Sequence, residues 1–227
     1  MFLSGLSPFF YMYRCLFKDL GVSVPFNPFE CSFLSHVNVA PSQLHLNSWG
    51  FLRAFQVLCS VLGIEVLLAK FIHFYQLKLG DPPLGWLFLS GSKEGGLFSL
   101  FFLSYKNFKK DYFKNCPINT DVASEHLFHL NGDPKFPLYW QQNLIRFAGS
   151  IGFALSAVDE EDIEKLQSLP RPLDSRSVLS LPSSANLVII AEVGHGGFSS
   201  VVLPMMGSFL PWCVFGFQVG AHSFSMV

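Results

Sequence analysis

Residues 9–20 place Phe9, Phe10, Tyr13, Leu16, Phe17 and Leu20 at intervals of three and four, with Arg14 and Lys18 between them. That spacing predicts an amphipathic helix stopping at Gly21, and the prolines at 25 and 28 then predict an extended run. A broader apolar face, Phe51, Leu52, Phe55, Leu58, Val61 and Leu62, predicts a mostly buried helix over 49–62. Asn47 and Ser48 are its expected caps, with a turn at Pro41-Ser42 before it and a stop at Gly63. A third helix is predicted over 65–79, where Val66, Leu67, Ile72, Tyr75 and Leu79 share a face.

After Pro82-Pro83 the pattern changes to short aromatic runs. Residues 85–90 and 97–103 flank Gly95-Gly96 and predict a β-hairpin near 85–104. Residues 105–116 interleave Tyr105, Phe108, Tyr112 and Phe113 with Lys106, Lys109, Lys110 and Lys114. They read as an amphipathic strand or short helix with its lysines in water. Residues 131–148 read as a surface-crossing loop that pins its aromatics into the core. Ser156 and Asp159 fit a capping box and open a helix over 157–168, and 170–182 reads as a linker. Residues 187–193 read as a buried strand, followed by an uncharged tail. The expected fold is α+β: one mostly helical domain with an aromatic hairpin, then an irregular hydrophobic tail.

Composition narrows the classes. Half of the 227 residues are apolar, 26 are Phe, and only 14% are charged, which excludes a disordered chain. Residues 1–120 carry ten Lys/Arg against six Asp/Glu, a net of +4, and residues 121–227 five against ten, a net of −5. Such a spread is not the concentrated basic footprint of a typical nucleic-acid binder. The five cysteines are separate and set in apolar surroundings, which points to free thiols in a reducing compartment, nucleus or cytoplasm, rather than a secreted disulfide framework. Met1–Leu6 has no basic segment before it and is not read as a signal peptide.

Candidate chemistry is sparse. His126 and His129 have no carboxylate or cysteine at ligand spacing, so no metal site is assigned. The acidic run Asp159, Glu160, Glu161, Asp162 and Glu164 could attract a divalent ion, but its place at a helix start accounts for it through the helix dipole. Gly194-His195-Gly196-Gly197 follows the 187–193 strand without the Lys-Ser/Thr of a phosphate cradle. No zinc knuckle, D-[ST]-G triplet or Y-x-D-D pair occurs. No catalytic residue and no cofactor is assigned. Residues 198–219 carry no charge and are long enough to span a bilayer, so a tail anchor is one alternative. Aromatics amid lysines could stack on single-stranded bases, so nucleic acid contacted by Lys106, Lys109, Lys110 and Lys114 is another.

A more specific pattern lies at residues 24–62. Pro25-Phe26 leads to Ala40, Pro41, Ser42, Gln43, Leu44, His45, Asn47 and Trp49, and then to Phe55-x-x-Leu58-Cys59. This resembles the plant gypsy-type transposon domain, with its A-P-S-Q-L-H-P-N-x-W box; Leu46 stands where that box has proline. The resemblance continues through Trp86, Ser104–Lys109 and Phe136–Trp140, covers residues 8–185, and leaves 186–227 as a tail outside the domain. It implies a gag-side protein of a long-terminal-repeat retrotransposon, truncated or decayed, that works by association, including self-association, rather than catalysis. Pro41, Ser42 and Asn47 are turn and cap residues on this reading, and Trp49 and Trp86 are core fillers.

Overall fold

The computed structural model describes residues 8–80, 85–102, 111–117, 126–145, 147, 153–182 and 215–218. Its architecture is α+β, with helices packed around two small antiparallel sheets. The chain opens with strand β1 (Phe10–Tyr13) and passes directly into the short helix α1 (Arg14–Lys18). The single helix expected over 9–20 is therefore corrected. Phe10 and Met12 are wholly buried and alternate with half-buried Tyr11, a period-2 pattern that matters once a partner strand is available. That partner is β4 (Tyr112–Pro117), which pairs Phe10 with Asn115 and Tyr13 with Tyr112. Strand β5 (Phe215–Gln218) lies on its other side, giving the order β1-β4-β5.

Helix α2 (Pro28–Val37) replaces the extended run expected after Pro25. Pro28 occupies the first helical turn, where its missing N–H costs nothing. Asn27 accepts from the Glu30 amide at 3.0 Å while the Glu30 carboxylate accepts from the Asn27 amide at 3.1 Å, a complete capping box. Glu30 is buried; burial pushes its carboxyl up, against the pull of Arg53 and hydrogen bonds from Asn27 and Gln56. Gln56 accepts from the Asn27 amide group and donates to Glu30 at 3.3 Å, so the cap of α2 is tied to the next long helix.

That helix, α3 (Leu46–Leu62), is buried from Leu46 to Cys59 and forms the axis of the molecule. It begins three residues before the expected start. His45, not Asn47 or Ser48, is the cap, its Nδ1 accepting from the Asn47 amide at 3.2 Å. Gly63, at φ +66°, ends it in the left-handed conformation as the sequence predicts.

The helix expected over 65–79 divides into α4 (Leu68–His73) and β2 (Tyr75–Leu79). β2 pairs antiparallel with β3 (Leu87–Gly91), matching Tyr75 with Gly91 and Leu79 with Leu87. The expected hairpin thus has a different partner. Leu97–Ser99 instead runs beside Leu173, with hydrogen bonds of 2.8 Å in both directions. The 75–79 run satisfies both periods over five residues, and pairing decides between them.

Helix α5 (Ala157–Gln167) opens with the predicted Ser156–Asp159 capping box. The stretch read as a linker contains α6 (Ser175–Leu179), capped by Asp174, which buries Ser175 and Val178 and packs against α3. The strand expected at 187–193, the Gly194–Gly197 run and residues 198–214 of the tail lie outside the described residues.

One continuous core joins these elements, and phenylalanine dominates it. Phe26 meets Trp49 at 5.3 Å and Phe136 at 5.1 Å between ring centroids; Phe71 meets Phe55 at 5.2 Å and Phe29 at 5.7 Å. Tilted and edge-to-face rings of this kind fill space and add about 0.5–1.5 kcal/mol per pair beyond burial. Phe136 arrives from the 131–148 loop as expected, but Tyr139 and Trp140 from the same loop remain 52% and 42% exposed.

Candidate interaction face

The box residues converge where α3, β3 and two irregular segments meet. Pro41–Gln43 makes one turn of 3-10 helix, which aims Gln43 at the backbone of the 139–141 segment. Gln43 Oε1 accepts from the Gln141 amide at 3.0 Å, and its Nε2 donates to the Gln141 carbonyl at 2.8 Å and the Gly85 carbonyl at 3.2 Å. Ser42 Oγ accepts from Trp140 Nε1 at 2.9 Å. Wholly buried Trp49 donates to the Pro41 carbonyl at 3.1 Å, locking the turn onto the helix. Asn47 grips Phe102 twice, donating to its carbonyl at 3.1 Å and accepting from its amide at 2.8 Å. The His45 amide donates to the Leu87 carbonyl, the Ser48 hydroxyl accepts from the Leu89 amide, and Leu44 bridges to Leu87, so the box also clasps the edge of β3. Most of these polar side chains bond to the chain's own backbone, and Ser42 to the Trp140 ring, so the box fastens distant segments together.

What the box fastens is an aromatic surface. Tyr11 stands opposite Lys114, and Tyr13 opposite Tyr112, on one side of the first sheet, while Phe10, Met12 and Asn115 point the other way into the core. Phe9 continues the outward row, 5.4 Å from Tyr11 and 5.4 Å from Tyr139, and Tyr11 meets Tyr112 at 5.5 Å. Lys114 Nζ lies 4.2 Å above the Phe9 ring. At the inner end Tyr13 stacks on Trp86 at 5.8 Å and 17°, and Trp86 meets Trp140 edge-on at 5.9 Å. Gly85 permits that junction: its φ is +59°, and a Cβ there would stand 3.6 Å from the Trp140 ring. Phe9, Tyr11, Tyr112 and Lys114 are half-buried and Tyr139 is exposed, so the surface is set by buried neighbours yet open to a partner.

A cavity of about 770 Å³ lies on the far side of β3, lined by His45, Phe51, Tyr75, Ser90, Phe98 and Arg171 among others. Arg171 is engaged there, donating to the carbonyls of Glu94 at 2.8 Å and Gly95 at 3.2 Å. Burial raises the Tyr75 phenol well above its ordinary value, so it stays protonated.

The acidic run has a structural occupation. Lys70 of α4, its side chain 1% exposed, lies 2.8 Å from Asp162 and 3.0 Å from Asp159. Burial pushes the Lys70 ammonium down, but the two aspartates outweigh it and hold its pKa above the ordinary value. Lys70 depresses the Asp162 carboxyl, and hydrogen bonds from Ser156, followed by Lys70, hold Asp159 at about 2. Glu161 pairs with Lys165 at 3.0 Å. Among the described residues no group of three or more His, Cys, Asp and Glu side chains is placed to hold a metal ion. Of the described cysteines, Cys31 and Cys59 are buried free thiols, pushed up by burial to about 11 and about 12.

The eight box and filler residues, Pro41, Ser42, Gln43, Leu44, His45, Asn47, Trp49 and Trp86, thus come together. Of the four lysines considered for nucleic-acid contact, Lys114 is on the aromatic face, and Lys106, Lys109 and Lys110 lie outside the described residues, as does Ser104–Lys109. Tyr11 and Lys70 were not singled out by sequence, and Tyr139 was expected in the core, not on an outward face. A lysine inside the apolar run Leu67–Ile72, with an acidic cluster in need of a cation, was the available signal for Lys70. No helix among the described residues is long and apolar enough to cross a membrane.

Residues 5–79 match the protein family described as "Putative gypsy type transposon". The matched stretch runs from before β1 to the end of β2 and contains the whole box; Trp86 and the 139–141 segment lie beyond it. No curated protein and no solved structure matches the chain.

Proposed function

We propose, from the premise that this transposon-derived chain carries a gypsy-type transposon domain over residues 5–79, that it is a non-enzymatic structural and interaction module. The observation that carries this reading is the outward face of the first sheet, five contiguous side chains held by buried rings and still open to solvent. The hydrogen bonding of the box supports it, because the residues most specific to the family are spent on internal backbone groups. An origin in the gag-side region of a plant long-terminal-repeat element belongs to the same proposal and rests on the box residues.

Light scattering coupled to size-exclusion chromatography on the full chain tests it, at low and high salt, with and without single-stranded RNA. Assembly with itself or with the RNA is expected, and Tyr11→Ala combined with Tyr139→Ala abolishes it without moving the thermal midpoint by more than a few degrees. A monomer indifferent to every condition, or assembly untouched by the double substitution, contradicts the reading.

A further inference from the structure

The outward row Phe9, Tyr11, Tyr112, Lys114 and Tyr139 is built from flat rings around one cation. Three of the four rings are tyrosines, each presenting a π-face together with a hydroxyl, on which a nucleobase can stack. Lys114 sits over the Phe9 ring with no acidic partner on the face among the described residues, and the carboxylate of the same segment, Asp111, lies 4.0 Å from Arg14. In sequence, residues 105–116 hold four lysines and one aspartate, a net of +3, so the strand that carries Lys114 belongs to the most basic stretch of the chain. The net positive charge of that stretch and the outward rings together complement a polyanion that carries planar groups.

We propose that this face takes a single-stranded nucleic acid, with bases stacking on Phe9, Tyr11 and Tyr139 and a phosphate held by Lys114. The inference rests on the interaction-module reading and names its partner. Duplex is excluded by the same geometry, since bases paired inside a helix cannot offer their faces to a flat sheet. Few charges take part, so binding is modest in affinity and moderate in salt dependence, with each phosphate contact adding about −0.7 to the slope of log affinity against log salt.

Fluorescence anisotropy on the full chain, with labelled short oligouridine, oligothymidine and a duplex of equal length, tests the proposal. Saturable binding to either single strand and about tenfold or weaker binding to the duplex are expected. Tyr11→Ala and Tyr139→Ala each weaken single-strand binding about tenfold, from the cost of losing one stacked base. Tyr11→Phe keeps the ring and the affinity, which a purely structural effect of alanine would not explain. Lys114→Gln reduces the salt slope by about 0.7. Equal affinity for duplex, or single-strand binding unchanged in the Tyr11→Ala, Tyr139→Ala double variant, overturns the proposal. Self-association lost in that double variant, with no oligonucleotide bound by the wild type, overturns it while leaving the interaction module standing. A wild-type chain that neither binds nor associates overturns both.

Discussion

Lys70 has its ammonium 2.8 Å from Asp162 and 3.0 Å from Asp159, with 1% of its side chain in water. A buried cation is tolerable only when its partners are in place; removing one side of such a pair strands the other. Lys70→Met keeps the volume and deletes the charge, leaving Asp159 without its cation and Asp162 with only the exposed Lys165 at 3.6 Å, and is expected to cost about 3 kcal/mol in urea unfolding. The pH dependence follows from the directions of shift. Both aspartates are depressed in the folded state, so their contribution is present above the ordinary value of 3.8 and is lost as pH falls, for Asp159 down to about 2. Lys70 is raised, so its contribution is present below 10.5 and is lost only at higher pH. Thermal midpoints of the wild type should therefore drop between about pH 4 and pH 2. Because Ser156 is the main cause for Asp159 and Lys70 for Asp162, Ser156→Ala and Lys70→Met should each flatten that drop, and the pair together more than either. Ser156→Ala also removes a helix cap, worth about 1 kcal/mol at neutral pH.

At the scale of elements, α3 is held at both ends by identifiable devices. Gly63 adopts φ +66° with open space around it, so Gly63→Ala costs about 1 kcal/mol through backbone strain alone, measurable by denaturant unfolding. Gln43 makes the reverse case: the helix survives its loss, but the 139–141 segment is released. Gln43→Ala should speed hydrogen exchange at the Gln141 amide while exchange within α3 stays unchanged. These two devices differ in how visible they are beforehand. Gly63 ends a strong 3.6-residue period, and the Ser156–Asp159 box precedes another, so both helices were legible in the sequence. α2 was not, because Pro25 and Pro28 read as breakers and only the Asn27–Glu30 reciprocity shows Pro28 to be the first helical residue. β1 and β2 were hidden for a different reason. Each is four or five residues long, and Phe10–Tyr13 and Tyr75–Leu79 fit a helical face as well as a strand until β4 and β3 are found to pair with them. α6 was concealed by its Pro- and Ser-rich surroundings, and its burial against α3 is a tertiary fact. The box was legible as a pattern, but its targets, Gly85, Phe102 and Gln141, lie 42, 55 and 98 residues away and could not be paired from one sequence.

For the whole molecule, two systems have separate work: a phenylalanine core fastened by the box, and an outward aromatic face mounted on it through Tyr13, Trp86 and Trp140. Disturbing the mount should therefore weaken the face without emptying it. Gly85→Ala, which strains a positive φ beside Trp140, is expected to lower oligonucleotide affinity several-fold while each ring of the face remains in the chain. The most direct test of the account is to cross-link the full wild-type chain to a photoreactive oligouridine and locate the adducts by mass spectrometry. Adducts are expected to concentrate at Phe9, Tyr11, Tyr112 and Tyr139 and to be competed away by unlabelled single strand and not by duplex. Adducts absent from those four residues, or insensitive to that competition, would contradict it.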